Sequence, residues 1–379
     1  MILPGQTIGI LGGGQLGRMM AMAARSLGYG VAALDPDPAC AAKGVVDRCL
    51  TASFQDDLAA AWFARSCGVI TLEIEKVSLT VLEAAARYAP VRPSAQVLGI
   101  IQDRSTQKHW LAKHGFPLGP WRDARNENEL KMALSELPGL CFVKSCTGGY
   151  DGRGQVETHS PTEATTAWKT LGSSPVVVEK GLPLVSELSV MVARRPSGEI
   201  SVFPPAFNHH EQRILAWSVI PSPLNANIAA RAVELARGIA GAIALEGVLA
   251  IEMFLLEGDE LLVNELAPRP HNSFHATERA CHTSQFEQAV RAVCDLPLGS
   301  TEVVTPTAIA NVLGDLWLGP HGRPNFEAAL SIPGVRLHLY GKNDARPGRK
   351  MGHLSAVAHT PEQAIETSKA ALRALSWPE

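Results

Sequence analysis

Two glutamates in the second half of the chain are placed where a short hairpin would bring their carboxylates together. Residues 248–256 and 260–266 have the composition of two β-strands, and the glycine and aspartate at 258–259 predict a two-residue turn between them. That turn places Glu252 opposite Glu265, with Cβ atoms roughly 5 Å apart. At an effective dielectric constant of about 20, two negative charges at that distance repel by roughly 3 kcal/mol. We therefore expect a cation between them, and Mg²⁺ prefers carboxylate and phosphate oxygens; a proton shared by the two carboxyl groups is the alternative.

A glycine-rich loop lies upstream of these glutamates, between two stretches with strand-like composition. Residues 148–154 have the sequence GGYDGRG, and Lys144 lies just before them. Because four of these seven residues are glycines, backbone N–H groups there can approach phosphate oxygens, and the lysine supplies a point charge. A mobile hairpin loop is the alternative, but the entropy lost on ordering so many glycines favours a nucleotide that orders the loop. A phosphate loop together with magnesium-binding carboxylates describes a phosphoryl-transfer site.

A second glycine motif occurs near the N-terminus. Residues 12–17 (GGGQLG) match the pattern G-x-G-x-x-G between an expected strand and an expected helix, and Asp35 ends the next strand. This arrangement is typical of dinucleotide binding, in which helix N-terminal amides face a phosphate and the acid binds a ribose. Any tight strand–helix connection needs the same glycines, however. The motif alone therefore leaves NAD, another anion or ligand, and simple packing open.

The elements that must hold these residues change in character along the chain. In the first hundred residues strands and helices alternate, which predicts a parallel sheet with helices on both faces. The expected strands are residues 7–11, 29–34 and 68–74, and the expected helices are residues 15–27, 56–65 and 79–88. Further on we expect strands at 141–144, 176–180, 187–195 and 199–203, then a helix at 227–245 before the hairpin. Beyond about residue 300, glycines and prolines punctuate a small, mostly β region.

The overall composition restricts the partners and the location of the protein. With 379 residues the chain is long enough for more than one domain, and its 46% hydrophobic and 19% charged residues argue against disorder. A net charge of -3 provides no basic field for nucleic acid, so small molecules are the expected partners. Seven cysteines without a C-x-x-C pair predict free thiols in a reducing cytoplasm. We expect no signal peptide, because the N-terminus lacks a basic region followed by an apolar stretch. We also expect no membrane span, because the most apolar run, residues 238–256, contains Glu246 and Glu252.

Six short motifs follow one another along the chain. They are residues 12–19 (GGGQLGRM), 102–104 (QDR), 148–155 (GGYDGRGQ), 264–273 (NELAPRPHNS), 284–287 (SQFE) and 349–353 (RKMGH). Together they resemble the 5-(carboxyamino)imidazole ribonucleotide synthetase family of ATP-grasp enzymes. The resemblance extends from the first expected strand to about residue 355, and its motifs are specific in combination.

The resemblance implies an ATP-grasp fold of mixed α/β and α+β class, in three domains. These would be a Rossmann-like N-terminal domain at residues 1–100, an ATP-grasp domain at 101–299 with a small lid subdomain at about 115–185, and a small C-terminal β-rich domain at 300–379. The family is a group of ligases in de novo purine biosynthesis. ATP phosphorylates bicarbonate, and the resulting carboxyphosphate delivers CO₂ or its equivalent to the exocyclic amine of 5-aminoimidazole ribonucleotide. The products are N5-carboxyaminoimidazole ribonucleotide, ADP and phosphate. The resemblance further implies two Mg²⁺ ions, replaceable by Mn²⁺, together with a homodimer in the cytoplasm.

The matching positions imply roles for individual residues. The expected ATP contacts are Arg104, Lys144, Gly149, Tyr150, Asp151, Gly152, Arg153, Gly154, Gln155, Glu179, Lys180, Gly181, Leu182, Glu187, His210, Asn264 and Glu265. Of these, residues 179–182 would contact the adenine and Glu187 the ribose. The expected contacts of the ribonucleotide or of carboxyphosphate are Gln15, Glu73, Tyr150, Asp151, Arg153, Arg269, His271, Asn272, Lys342, Arg349 and Lys350. Asp151, Arg269 and Lys350 would be catalytic, and the metal ligands would be Glu252 and Glu265. A solvated basic face is the alternative for Lys342, Arg349 and Lys350.

The chain departs from the family pattern at three positions, and two rival functions stay open. Phe207 stands in place of a usual glutamate, Lys76 in place of an asparagine, and Phe274, expected to narrow the acceptor pocket, in place of a glycine. One rival keeps the fold but changes the acceptor, as in formate-dependent glycinamide ribonucleotide transformylation or biotin carboxylation. The other is an NAD-dependent dehydrogenase, or a non-catalytic nucleotide-binding protein, that uses the turn at 12–17. The segments 271–273 and 349–353 favour the carboxylating ligase.

Overall fold

The N-terminal region forms a parallel four-stranded sheet with helices packed against it. The computed structural model describes residues 1–148 and 154–377. The first elements are β1 (Thr7–Leu11), α1 (Gln15–Ser26), β2 (Gly30–Asp35), β3 (Arg48–Thr51), α2 (Asp57–Ala64), β4 (Val69–Leu72), α3 (Leu79–Ala86) and α4 (Ala95–Ile101). The strand order is β3-β2-β1-β4, and every neighbouring pair is parallel. The expected parallel sheet is confirmed, and β3 is a strand that the sequence pattern did not predict.

A second unit carries the glycine-rich loop. It follows α5 (Arg104–Lys113) and contains β5 (Trp121–Ala124), α6 (Glu127–Glu136), β6 (Cys141–Ser145), β7 (Gln155–Thr158), α7 (Ala164–Thr170) and β8 (Val176–Lys180). Its antiparallel sheet has the order β5-β8-β6-β7 and encloses its own core, to which Leu130, Val143 and Val178 belong. The loop connects β6 to β7, so its two ends are fixed by a strand pair in which Lys144 lies opposite Gln155.

The largest sheet continues from the middle of the chain to its C-terminal region. Its elements are β9 (Leu184–Arg194), β10 (Ile200–Val202), β11 (Ala206–Glu211), β12 (Ile214–Ile220), α8 (Ala226–Ala242), β13 (Gly247–Leu256), β14 (Leu261–Ala267), α9 (Thr277–Ala280), α10 (Gln285–Val293), β15 (Thr307–Leu313), α11 (Phe326–Leu330), β16 (Val335–Leu339), β17 (Lys350–Val357) and α12 (Pro361–Ala374). The strand order is β14-β13-β9-β11-β12-β15-β17-β16, with β10 paired to β9. The C-terminal strands therefore extend the sheet that holds the glutamate pair.

The helices begin where the sequence supplies caps. Asp56, Asp103 and Asn225 each accept a hydrogen bond from a backbone N–H in the first turn of α2, α5 and α8. Helix α1 differs, because its N-cap is Gly14, which has no side chain to accept such a bond. The amides at the start of α1 must be satisfied by other parts of the chain.

One hydrophobic core joins the N-terminal sheet to the central sheet. It contains Ile8 of β1 and Met19 of α1 together with Val248 of β13 and Phe286 of α10. This packing fixes the glycine turn at 12–17 relative to the hairpin of β13 and β14. Among the described residues, no helix is long and apolar enough to cross a membrane.

Candidate functional site

The hairpin of β13 and β14 places Glu252 directly opposite Glu265, as the sequence predicted. The predicted two-residue turn is wrong, because residues 257–259 form a three-residue turn in which Gly258 has a φ of 73° and Asp259 a φ of 63°. That turn shifts the register by one residue, and a bulge at Asn264 shifts it back between Met253 and Glu252. The two deviations from the expected hairpin cancel, so the carboxylates face each other.

The two glutamates have different partners. Glu265 Oε2 lies 2.8 Å from a guanidinium nitrogen of Arg104, whereas Glu252 Oε1 lies 3.3 Å from His271 Nε2. Burial, and then the charge of Glu265, raise the pKa of Glu252 to about 7. Burial opposes ionisation of Glu265 as well, but the Arg104 guanidinium outweighs it and lowers the pKa of that carboxyl. Glu265 is therefore the charged member of the pair, and Glu252 is the member that holds a proton most readily.

The oxygens around this pair fit a hard divalent cation. The bulge at Asn264 turns this residue toward the same side as Glu265, since both are partly exposed between the buried Val263 and Leu266. Asn264 Oδ1 is buried and has no hydrogen-bond partner among residues 1–148 and 154–377. Two carboxylates and one unsatisfied amide oxygen form the all-oxygen donor set that Mg²⁺ requires. The residues present thus fit the expected magnesium ion.

A second buried carboxylate, Glu179 of β8, is held by two lysines. Its oxygens lie 2.7 Å from Lys144 Nζ and 3.0 Å from Lys108 Nζ. Burial would raise the pKa of Glu179, but the charges of Lys144 and Lys108 hold it at about 2. Lys108 was not among the sequence candidates. The signal that could have found it is its position four residues after Arg104 on α5, which places both cations on one helix face.

The other residues expected at the nucleotide lie in β8, β9 and β11 or directly after β8. Glu187 Oε2 is 3.0 Å from His210 Nδ1, and although burial opposes it, Glu187 raises the pKa of that imidazole. Gly181 donates its amide to Leu140, and Leu182 packs near Gly119. Lys180 differs from this group, because its ammonium donates to the carbonyl oxygen of Pro138.

The centre of the glycine-rich loop lies outside the described residues. This applies to five expected contacts: Gly149, Tyr150, Asp151, Gly152 and Arg153. The two flanking glycines, Gly148 and Gly154, have φ angles of 79° and 72°, which side chains other than glycine rarely adopt. The loop is closed at its base by a 2.8 Å hydrogen bond from the amide of Ser145 to the carbonyl of Gly154.

A cleft of about 310 Å³ lies between the N-terminal glycine turn and the segment that precedes β17. Its lining includes Gly13, Gly14, Lys342 and Arg349. The Lys342 ammonium donates to Gln15 Oε1 at 2.8 Å and to the backbone carbonyl of Lys350 at 2.6 Å. The structure therefore brings Gln15 together with Lys342, Arg349 and Lys350, which lie more than three hundred residues further along the chain.

Three further expected acceptor contacts, Arg269, His271 and Asn272, lie between this cleft and the glutamate pair. Arg269 forms a 2.8 Å ion pair with Glu75, and its charge adds to burial and to the charge of Lys350 in lowering the pKa of His271. Burial is the main cause of that lowered pKa, so the His271 imidazole is neutral. Asn272 is buried, and neither its amide nitrogen nor its amide oxygen has a hydrogen-bond partner among the described residues. Such unsatisfied groups are typical of a ligand site.

The N-terminal glycine turn is satisfied by the protein's own carboxylates. Glu73 accepts hydrogen bonds from the amides of Gly14 and Gly17 at 2.8 and 3.0 Å, and Asp35 accepts one from Gly13 at 2.7 Å. Burial raises the pKa of Glu73 to about 7 although these amides oppose it. Glu73 thus fills the anion position at the start of α1, where a dinucleotide phosphate would bind.

The departures from the family pattern lie around the site in different ways. Phe274 is fully buried and packs against Phe203 with ring centroids 6.0 Å apart, so its ring belongs to the core and does not line the cleft. Phe207 stacks on Trp217 at 5.8 Å on the central sheet. Lys76 is exposed, beside Glu75.

Comparisons with known proteins find domains of one enzyme family along most of the chain. Residues 5–102 match the ribonucleotide synthetase preATP-grasp domain, residues 109–286 match the ATP-grasp domain, and residues 307–367 match the phosphoribosylaminoimidazole carboxylase C-terminal domain. The N5-carboxyaminoimidazole ribonucleotide synthase of Bacillus subtilis (strain 168) is 39% identical over 366 residues, which cover 97% of this chain and 95% of the relative. That of Brucella melitensis is 41% identical over 356 residues, with coverages of 93% and 97%. The chain belongs to the N5-carboxyaminoimidazole ribonucleotide synthase family.

Solved structures of this family have the same fold. A structure of the Aspergillus clavatus synthase in complex with ADP and 5-aminoimidazole ribonucleotide has a TM-score of 0.90 and 34% identity, and the alignment covers 98% of each chain. An ADP complex of another N5-carboxyaminoimidazole ribonucleotide synthetase has a TM-score of 0.91 and 40% identity, with coverages of 98% and 97%. The expected ATP-grasp fold, with its preATP-grasp and C-terminal domains, is confirmed.

Proposed function

We propose that this chain catalyses the ATP-dependent carboxylation of 5-aminoimidazole ribonucleotide by bicarbonate, with N5-carboxyaminoimidazole ribonucleotide, ADP and phosphate as products. The supporting observation is the adjacency of two complementary regions. An oxygen-rich region around Glu252 and Glu265 continues into a basic region that contains Arg269 and Lys350. A nucleotide with its cations suits the first region, and anionic acceptors suit the second.

The nucleotide region would bind and orient ATP. Arg104, Lys144 and the amides of the glycine loop would hold the phosphates, and Lys108 would keep Glu179 neutralised when Lys144 turns to the nucleotide. Glu252, Glu265 and Asn264 would hold Mg²⁺, for which Mn²⁺ could substitute, and two such ions are expected. Bound there, the metal neutralises charge on the transferring phosphoryl group.

The proposed reaction has two steps. A bicarbonate oxygen attacks the γ-phosphorus, the bond to the ADP oxygen breaks, and carboxyphosphate forms. The amine nitrogen of the ribonucleotide then bonds to the carboxyl carbon, delivered from carboxyphosphate or as CO₂; the bond from that carbon to the phosphate oxygen breaks, and the amine loses a proton. Arg269 and Lys350 would stabilise the negative charge of carboxyphosphate. Asp151, in the glycine-rich loop, would be the third catalytic residue. Closure of residues 148–154 would exclude water from this labile intermediate.

The acceptor would lie in the cleft beside the glycine turn. Gln15, Lys342 and Arg349 line or border it, and His271 and Asn272 lie toward the phosphoryl-transfer end. Tyr150 and Arg153 of the loop would contact the same substrate on closure. Glu73, which holds the turn, would support this side of the site from beneath.

The test is the dependence of ATP hydrolysis on both co-substrates. Purified protein should release ADP and phosphate in the presence of Mg²⁺ only when 5-aminoimidazole ribonucleotide and bicarbonate are both added. Equal release without the ribonucleotide would contradict the proposal. Turnover when formate and glycinamide ribonucleotide, or biotin, replace 5-aminoimidazole ribonucleotide would assign a different acceptor. NAD binding without magnesium-dependent ATP binding would assign the chain to a different class of protein.

The same proposal extends to assembly, location and domain limits. We propose a homodimer in the cytoplasm, and the free thiols of all seven cysteines are consistent with a reducing compartment. The proposed domains are residues 1–100, 101–299 and 300–379, supported by family matches over 5–102, 109–286 and 307–367. Light scattering coupled to gel filtration measures the molar mass of the protein in solution. The mass of a monomer would contradict the proposed homodimer.

A further inference from the structure

A cluster of imidazoles and one carboxylate lies on the C-terminal strands, separate from the glutamate pair. His338 of β16 and His353 of β17 are direct partners in the antiparallel ladder, so their side chains lie on the same face. Glu278 of α9 approaches this face, and its Oε2 lies 4.0 Å from His353 Nε2. One nitrogen or oxygen atom from each of these three residues lies within 4.8 Å of the other two.

The most buried of these ligands is already oriented. The Tyr340 hydroxyl lies 2.9 Å from His353 Nδ1, which leaves Nε2 on the side of Glu278. Both His353 and Tyr340 are buried, with 2% and 0% exposure. A hydrogen bond to the far ring nitrogen is the usual way in which a protein fixes a histidine that binds a metal.

A fourth imidazole packs against the cluster. The His275 ring stacks on His353 with centroids 4.6 Å apart, and His275 is 1% exposed. Its Nε2 is buried and has no hydrogen-bond partner in the described part of the chain. The Gln285 amide nitrogen lies 3.1 Å from His275 Nδ1 and donates to it, so Nε2 carries the ring proton. A buried donor without a partner needs an explanation, and a water molecule bound to a nearby ion would accept this proton.

The protonation of the three ligands bears on ion binding. Burial lowers the pKa of both His338 and His353, and the charge of Arg18 lowers that of His338 further, so both rings are neutral, as metal ligation requires. Burial raises the pKa of Glu278 to about 7, so below that pH an ion must displace its proton. The neighbouring Arg279 does not neutralise Glu278, since its guanidinium donates to the backbone carbonyls of Gly334 and Ser355 at 2.7 and 3.2 Å.

We propose that Glu278, His338 and His353 bind a divalent transition-metal ion of the zinc and cobalt class. With metal–nitrogen bonds of about 2.0–2.1 Å, ligand atoms in a tetrahedral site lie roughly 3.4 Å apart. The present distances of up to 4.8 Å between ligand atoms must therefore close by at most about 1.4 Å. Two imidazoles and one carboxylate supply three ligands and leave a fourth position to water. Glu278 is 36% exposed, which provides an entry path for the ion.

This site differs in chemistry from the one beside the nucleotide. Glu252, Glu265 and Asn264 offer oxygen only, which suits Mg²⁺, whereas imidazole nitrogen selects zinc, cobalt, nickel and copper. The new site also connects three elements, because Glu278 belongs to α9 and the histidines to β16 and β17. An ion there would stabilise the strand that begins with Lys350.

Cobalt(II) is the probe for the experiment. Chelator-treated full-length protein is titrated with Co²⁺ in excess Mg²⁺ and ADP, which occupy the nucleotide region, and visible absorption and the unfolding temperature are recorded. The variants are His338→Ala and Glu278→Gln, whose side chains are not fully buried. His359→Ala, an exposed histidine outside the cluster, is the matched control.

The wild type and the His359→Ala control should bind one equivalent of Co²⁺ with the absorption of a four-coordinate ion, and should unfold at a higher temperature. His338→Ala should lose that spectrum, and Glu278→Gln should bind at least about tenfold more weakly. Equal binding by wild type and both cluster variants would overturn the proposal. So would a wild-type protein that shows neither the absorption nor the rise in unfolding temperature at a tenfold excess of Co²⁺ over protein.

Discussion

Glu252 and Glu265 lie opposite each other across the hairpin, but in the described part of the chain only Glu265 is paired with an arginine. Arg104 keeps Glu265 ionised, whereas Glu252 faces the neutral ring of His271. Without a metal the hairpin is therefore asymmetric, with one stable carboxylate and one that gains a proton near neutral pH. A divalent cation would remove this asymmetry, since both carboxylates would then be ionised.

The asymmetry predicts opposite effects of two similar substitutions on metal-free stability. Glu252→Gln removes a partly buried carboxyl that pairs with no Lys or Arg among residues 1–148 and 154–377. The free energy of unfolding should therefore stay the same or rise by up to about 1 kcal/mol. Glu265→Gln leaves Arg104 without its carboxylate. Because Glu265 is 39% exposed and solvent screens the pair, we expect the free energy of unfolding to fall by about 1–2 kcal/mol.

Urea unfolding in chelating buffer measures both values. Each variant is also the control for the other, because both remove one negative charge from the same hairpin. Both should lose magnesium-dependent turnover. Equal changes in unfolding free energy for the two variants would contradict the asymmetry.

The raised pKa of Glu252 predicts a pH dependence of stability and of metal binding. Its pKa is about 7 in the folded protein against 4.5 for the ordinary side chain. The stability that this group contributes is therefore complete below about pH 4.5 and is lost as the pH rises through about 7. Below about pH 7 a proton on Glu252 competes with the ion, so the affinity for Mg²⁺ in the presence of ADP should fall by about tenfold for each pH unit.

The measurement is the difference between wild type and Glu252→Gln in chelating buffer from about pH 5 to pH 8. The difference isolates Glu252, because Glu73 and Glu278 also have pKa values raised to about 7. The wild type should lose stability relative to the variant as the pH rises. Parallel curves would show that Glu252 is already ionised in the metal-free protein.

Lys108 should affect ATP binding through Glu179. When Lys144 turns to the phosphates, Lys108 is the cation that remains on Glu179. In Lys108→Met, Lys144 would stay with Glu179, because leaving a buried carboxylate unpaired costs several kcal/mol. The loss of one charged hydrogen bond to the nucleotide should raise KM for ATP by about tenfold or more.

Steady-state kinetics with ATP varied test this role. Lys113→Met, an exposed lysine on the same helix, is the control and should leave KM unchanged. An unchanged KM in Lys108→Met would mean that Lys144 can leave Glu179 even when Lys108 is not there to pair with it.

The local elements were predictable from the sequence, because their ends are marked by residues with a physical role there. Apolar runs that end in glycine or in capping residues locate β1, α1 and α2 to within a few residues. Strand β3 (Arg48–Thr51) is too short and too polar to show a periodic pattern. The bulge at Asn264 depends on packing across the sheet and leaves no local signal, so the correct pairing of Glu252 with Glu265 came from two errors that cancel.

The long-range features were less accessible. The C-terminal strands continue the central sheet through the pairing of β12 with β15, which no local pattern specifies. Helix α12 was missed although Thr360 caps it and Pro361 begins it, a combination that does predict a helix start. The ion pairs of Glu179 arise from three separate elements, so the sequence identified Lys144 and Glu179 but not their link or Lys108.

The N-terminal turn gives the last prediction, because its glycines are needed for contact with Glu73. A Cβ atom added at Gly14 would lie 2.6 Å from one Glu73 carboxylate oxygen and 3.0 Å from the other, too close for either to keep its place. Gly14→Ala should therefore displace Glu73 from the amides of α1, leave buried polar groups unsatisfied, and lower the free energy of unfolding by about 2–3 kcal/mol. Gly241→Ala is the control, since Gly241 lies in α8 with open space around it and alanine there should stabilise the helix by up to about 1 kcal/mol. Thermal and urea unfolding measure both changes. If Gly14→Ala is as stable as the wild type, Glu73 does not hold the turn, and the amides of α1 are free to bind an external anion.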